Sequence, residues 1–112
     1  MQELSEKIKQ FSEDRDWQKF HTPKNLAAAI SIESSELLEH FLWLTPEQSR
    51  DLDADKKQKV ADEVGDILIY LTNFCNQLDI DPVKAAHEKL KKAALKYPVE
   101  KAKGIAKKYN EL

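Results

Sequence analysis

Four carboxylates stand in two pairs, each spaced i,i+3. Glu33 and Glu36 lie in Ile32-Glu33-Ser34-Ser35-Glu36-Leu37-Leu38, and Glu63 and Asp66 lie in Asp62-Glu63-Val64-Gly65-Asp66-Ile67-Leu68. Residues three apart project from one side of a helix, so each pair presents two acids in one direction. Four acids gathered inside a small helical domain repel one another unless a cation intervenes. Hard oxygen donors of this kind suit Mg²⁺, and Mg²⁺ held by carboxylates points to phosphate chemistry.

The elements that must carry these acids are helices. Apolar spacing is helical throughout, and no strand-like alternation persists. The spacing predicts a first helix from about Gln2 to Asp16, with Leu4, Ile8 and Phe11 inward, then a connection from Trp17 to Pro23. Thr22-Pro23 reads as an N-cap followed by proline at the first helical position, opening a second helix that runs to about Leu44. Thr45-Pro46-Glu47-Gln48 has the capping-box pattern of a short helical turn, and Asp51 to Asp55 reads as a polar linker. A third long helix spans roughly Lys56 to Leu78. Asp81-Pro82 opens a fourth, which Tyr97-Pro98 stops. The tail to Leu112 reads as irregular, with a helical turn or two. The expectation is one all-α domain over residues 1–112, a four-helix bundle with short connections.

Placed on a wheel, Leu26, Ile30, Leu37, Phe41 and Leu44 form one stripe of the second helix, and Glu33 falls inside it, roughly 40° from Leu37. Glu36 lies at the margin, with Trp43 close in direction. In the third helix, Val60, Val64, Ile67, Leu71, Phe74 and Leu78 form the stripe. Glu63 sits on its edge, with Tyr70 nearly above it and Asp66 just beyond, while Asp62 and Glu39 point to solvent. An unpaired acid in an apolar stripe costs several kcal/mol or stays protonated. If the two margins face each other, four carboxylates and two aromatics converge. The competing reading pairs these acids with lysines of the fourth helix. A di-iron site does not fit: Glu36 is followed three residues on by Glu39, with His40 one residue too late, and Asp66 is followed by Ile69. An oxygen-only site favours Mg²⁺ or Mn²⁺.

Composition narrows the class of function. A formal charge of −2 over 112 residues argues against general nucleic-acid binding. The charge is uneven, however: from Lys84 to Lys108 there are nine lysines against Glu88 and Glu100, a formal balance of +7. That stretch reads either as a solvated helix face or as a phosphate attractor. A single cysteine, Cys75, cannot form an intrachain disulfide and sits among apolar residues. No apolar run has membrane-spanning length and no signal peptide is evident, so the default expectation is cytoplasmic.

Beyond the acids, five ordered stretches resemble one family. These are Asp14-Arg15-Asp16-Trp17-Gln18-Lys19-Phe20-His21 with Pro23-Lys24-Asn25-Leu26; Phe41-x-Trp43; Asp66-Ile67-Leu68-Ile69-Tyr70-Leu71; Tyr97-Pro98; and Lys108-Tyr109. With Glu33-x-x-Glu36 and Glu63-x-x-Asp66, they are similar to the all-α nucleoside triphosphate pyrophosphohydrolases, the MazG-like group, and within it to the dCTP pyrophosphatase branch. The resemblance covers nearly the whole chain. It implies hydrolysis between the α- and β-phosphates of a nucleoside triphosphate, giving monophosphate and pyrophosphate. It assigns Mg²⁺ to Glu33, Glu36, Glu63 and Asp66, the base and sugar to Trp17, His21, Asn25, Trp43 and Tyr70, and the phosphates to lysines such as Lys89 and Lys96. It also implies a homodimer or homotetramer. One position departs: Ala93 stands where relatives often carry asparagine, which bears on base preference more than on reaction class. No Ser/His/Asp nucleophile set and no P-loop glycine pattern is present, as expected of phosphoryl chemistry that rests on positioning and charge.

Overall fold

The computed structural model describes residues 1–112. The chain is all-α: α1 (Gln2–Asp14), α2 (Pro23–Glu39), α3 (Pro46–Ser49), α4 (Ala54–Gln77), α5 (Pro82–Lys96) and α6 (Val99–Ala102), followed by a 3₁₀ turn (Tyr109–Glu111). The four expected long helices are present, and the connections and tail add two single-turn helices. The chain divides into two compact units, Met1–Ile80 and Asp81–Leu112.

Side-chain caps set the helix starts. Thr22 Oγ1 accepts from the Asn25 amide at 3.2 Å, with Pro23 supplying the first helical φ. Thr45 and Gln48 exchange both bonds of a capping box, at 2.9 and 3.2 Å. The Asp53 carboxylate accepts from Lys56 N at 2.8 Å and starts α4 two residues earlier than expected. Asp81 Oδ1 accepts from Val83 N and Lys84 N, each at 3.0 Å.

The helix ends are where the expected spans need correction. The first helix stops at Asp14, not Asp16. Asp16 adopts φ 53°, the Asp16 amide bonds Glu13 O at 3.1 Å and the Trp17 amide bonds Ser12 O at 3.0 Å. These are the two bonds of a Schellman end. The second helix stops at Glu39, not Leu44. From His40 onward the amides reach back three residues, Phe41 N to Leu38 O at 2.9 Å and Leu44 N to Phe41 O at 3.0 Å. Such tightened turns satisfy terminal carbonyls, and the proline at 46 disfavours helical backbone just before it. Phe41 and Leu44 therefore leave the helical stripe, and Trp43 leaves the helix margin that holds Glu36. At the far end of α4, Asp79 takes φ 54° and Ile80 N bonds Cys75 O at 2.9 Å, another six-to-one closure.

In the first unit α2 packs along α4, and α1 packs against α4. The centre combines Leu26, Ile8 and Cys75 with the buried polar residues Ser12, Thr72 and Asn73. Ser5 Oγ donates to Asn76 Oδ1 at 2.6 Å and ties α1 to α4. The expected apolar stripe of α4 is only partly covered: Val64, Leu71 and Leu78 are exposed, as is Phe11 of α1. Three helices and their loops do not enclose every side of a 24-residue helix, so part of that stripe faces outward. In the second unit, the Tyr97 and Tyr109 rings meet edge-on at 6.3 Å and Lys96 Nζ lies 4.7 Å from the Tyr109 ring centre, bringing the 3₁₀ turn back to the end of α5. No helix is long and apolar enough to cross a membrane.

Candidate metal centre

The packing of α2 along α4 brings the acid pairs together. One oxygen from each of Glu33, Glu36 and Glu63 lies within 4.8 Å of the other two. Asp66 is not in that trio, but its charge bears on Glu33. Glu33 Oε2 and Glu63 Oε2 are shut off from solvent and have no hydrogen-bond partner. A buried carboxylate oxygen without a partner is costly. The Glu33 carboxyl shows the strain in its acidity: its pKa rises from 4.5 to about 7, first through burial and then through the neighbouring Glu36, Asp66 and Glu63.

Within Met1–Ile80, no lysine or arginine stands within ion-pair distance of these acids. The lysine pairs there are Lys7–Glu3, Lys19–Asp16 and Lys59–Asp55, all between residues one turn apart or nearly so. Within this unit the basic group at ion-pair distance from the cluster is His40, whose Nε2 lies 3.5 Å from Glu63 Oε1. An all-oxygen set with unpartnered, mutually repelling donors fits a hard divalent cation. Glu33, Glu36 and Glu63 are the residues able to hold it, with Asp66 alongside.

The aromatic candidates gather further along α4. Asn73 follows Asp66 by seven residues, two helical turns or about 10 Å along the axis, and Tyr70, half-buried, lies between them. Asn73 Nδ2 donates to His21 Nδ1 at 2.9 Å. The His21 ring meets the Trp17 ring edge-on at 6.0 Å, and Trp17 meets Phe11 likewise at 5.7 Å. Asn25 Nδ2 donates to Phe20 O at 3.0 Å and stiffens the loop before α2. A cleft of about 320 Å³ opens beside this anchor, with Ser12, Gln18, Asn73 and Asn76 among its walls. Trp43 stands apart: it lies on the turn after α2 and is 89% exposed, so its closeness to Glu36 on an ideal wheel does not carry over to a shared helix face. Lys89 and Lys96 belong to the second unit, where both are exposed on α5.

The sequence gives Asn73 no role and weighs His40 only as an iron ligand. Asn73 carried a usable signal, since a polar residue between Leu71 and Phe74 invites the same question as Glu33. His40 carried a weaker one, because its distance from Glu36 fits no common ligand spacing and its reach to Glu63 depends on where α2 ends.

Comparison with known proteins agrees with this architecture. The MazG-like family matches residues 28–112. Over 105 residues, 92% of this chain, it is 33% identical to dCTP pyrophosphatase 1 of Rattus norvegicus, and 34% and 32% identical to those of Bos taurus and Homo sapiens. The chain spans 62% of the length of these relatives. A crystal structure of a pyrophosphatase from Archaeoglobus fulgidus superposes with a TM-score of 0.83 at 41% identity, covering 88% of this chain and 92% of that one. The family match takes in both acid pairs, most of the first unit and all of the second, and on that ground this chain belongs to the MazG-like family.

Proposed function

We propose that this chain is a nucleoside triphosphate pyrophosphohydrolase. It adds water across the anhydride between the α- and β-phosphates of a (d)NTP, releasing (d)NMP and pyrophosphate, with Mg²⁺ as its cation and Mn²⁺ as the alternative. The observation that carries the proposal is the approach of Glu33, Glu36 and Glu63 oxygens to within 4.8 Å of one another, two of these residues keeping an oxygen without a partner. A divalent cation bound there supplies charge neutralisation for the triphosphate and for the phosphoryl oxygens as the bond breaks.

The chain's own groups have three tasks. Glu33, Glu36, Glu63 and Asp66 hold the cation, and one glutamate, Glu36 or Glu63, takes the proton of the attacking water. Trp17, His21, Asn25 and Tyr70 serve the base and sugar. The spacing of the acids and His21's anchor along α4 supports this, since two turns of helix are commensurate with the distance from phosphates to base. Trp43 offers an exposed indole face for stacking. The resemblance assigns Lys89 and Lys96 to the phosphates, and exchange of each for alanine tests that role through a rise in KM.

dCTP is the leading substrate, supported by relatives that are dCTP pyrophosphatases at about one-third identity. Ala93 leaves base preference open, and the second reading is the same chemistry on purine or modified deoxynucleotides. The exposed apolar side of α4 supports a homodimer or homotetramer, and a family match that runs across the boundary at Ile80 supports one functional domain. We place the enzyme in the cytoplasm, in keeping with a single cysteine that cannot form an intrachain disulfide. A panel of triphosphates incubated with Mg²⁺ tests the whole reading: monophosphate with pyrophosphate is the expected product pair. Orthophosphate as the sole inorganic product overturns the cleavage position, and no turnover of any triphosphate reduces the chain to a helical metal- or nucleotide-binding module.

A further inference from the structure

His40 is the first residue past α2, and its ring turns back to the acid cluster. Its Nε2 lies 3.5 Å from Glu63 Oε1, with the two side chains only 21% and 17% exposed. The two oxygens of Glu63 are therefore in different situations. Oε1 faces an imidazole nitrogen, whereas Oε2 is sealed from solvent with no partner. An imidazole nitrogen at ion-pair distance from one oxygen of a carboxylate engages that oxygen and favours the orientation that leaves the other for a cation. The contact also crosses from the end of α2, which carries Glu33 and Glu36, to α4, which carries Glu63.

We infer that His40 is a positioning residue for Glu63, holding it so that Oε2 is presented to the divalent cation. The inference rests on the proposed cation site. A histidine that merely closed the helix end would gain from the terminal carbonyls, and its loss would lower stability without changing cation affinity. Steering a ligand makes the opposite demand.

Calorimetric titration of Mg²⁺ into the full chain without nucleotide separates these roles. His40→Ala is expected to weaken Mg²⁺ binding about tenfold, and His40→Gln, whose amide nitrogen can stand in for Nε2, to recover most of the loss. His40→Leu keeps bulk but lacks the donor and is expected to bind as weakly as His40→Ala, so a folding defect in one variant leaves the test intact. If His40→Ala and His40→Leu bind Mg²⁺ like the parent, with only the melting temperature lowered, the positioning role is overturned. Glu63→Gln is the control on the site itself. Loss of Mg²⁺ binding in Glu63→Gln alongside normal binding in both His40 variants removes only His40. Normal binding in Glu63→Gln removes the cation site and the role of His40 together.

Discussion

The two ends of the α4 face treat their polar groups in opposite ways. Around Asn73 most groups satisfy one another: the Asn73 amide holds His21, Asn25 holds the Phe20 carbonyl, and Ser5 holds Asn76, with the Thr72 hydroxyl alone left without a partner. Around Glu63 they do not: two carboxylate oxygens are sealed from solvent without partners, and the Glu33 carboxyl is pushed up to about pH 7 in consequence. The aromatic end is complete but for that one neutral hydroxyl, and the acid end is complete only with something positive added. Polar residues inside a helical domain are thus no single signal. A largely satisfied neutral set builds structure, and a cluster of unsatisfied charges marks where a ligand belongs.

The largest expected effect comes from removing a charge at the incomplete end. Glu63→Gln should lower turnover on the order of 100-fold or more while circular dichroism and melting temperature stay close to the parent's. Retained activity would make the acid end as self-contained as the other.

Next comes pH. A carboxyl whose pKa is raised from 4.5 to about 7 binds its proton more tightly folded than unfolded. Its contribution to stability is fully present below 4.5 and is lost as pH climbs through 7. The metal-free chain should therefore melt at falling temperature between about pH 5 and 8, and Glu33→Gln should flatten that slope. Because a cation and the proton compete for Glu33, apparent Mg²⁺ affinity should rise over the same range. A melting temperature that is flat with pH in the metal-free parent would show that Glu33 is not under strain.

At the complete end, Asn73→Leu should cost about 1–3 kcal/mol by chemical denaturation, the cost of stranding a buried partner, with turnover at saturating substrate largely kept. A loss of turnover without loss of stability would move Asn73 into the chemistry and erase the contrast. The smallest change is expected for Trp43→Ala: stability within about 0.5 kcal/mol of the parent, as for most exposed positions, with the effect confined to KM.

Much of this was legible in the sequence, for physical reasons. Thr22-Pro23, Thr45-Pro46-Glu47-Gln48 and Asp81-Pro82 carry their helix starts in their own side chains, and all three caps form. Helix ends depend on backbone closures that leave little trace in residue type, so periodicity extends the second helix five residues too far and sets Trp43 beside Glu36 on a helix that the chain ends at Glu39. The acids stood out because charge within an apolar stripe needs a reason, whatever the tertiary detail. The amount of stripe left uncovered was not legible, because periodicity reports which side is apolar and not what comes to cover it.

The length of α4 has a consequence of its own. A continuous 24-residue helix fixes the phase as well as the distance between Glu63 and Asn73. One residue inserted between Tyr70 and Asn73 would advance the His21 anchor by 1.5 Å and rotate it by about 100°, off the face that Asp66 occupies. The segment between α3 and α4 carries no such phase and can absorb insertions. Length variation among functional versions of this protein should fall in that loop and spare the middle of α4, where a single added residue would unmake the gauge that keeps the acids and the aromatics on one side.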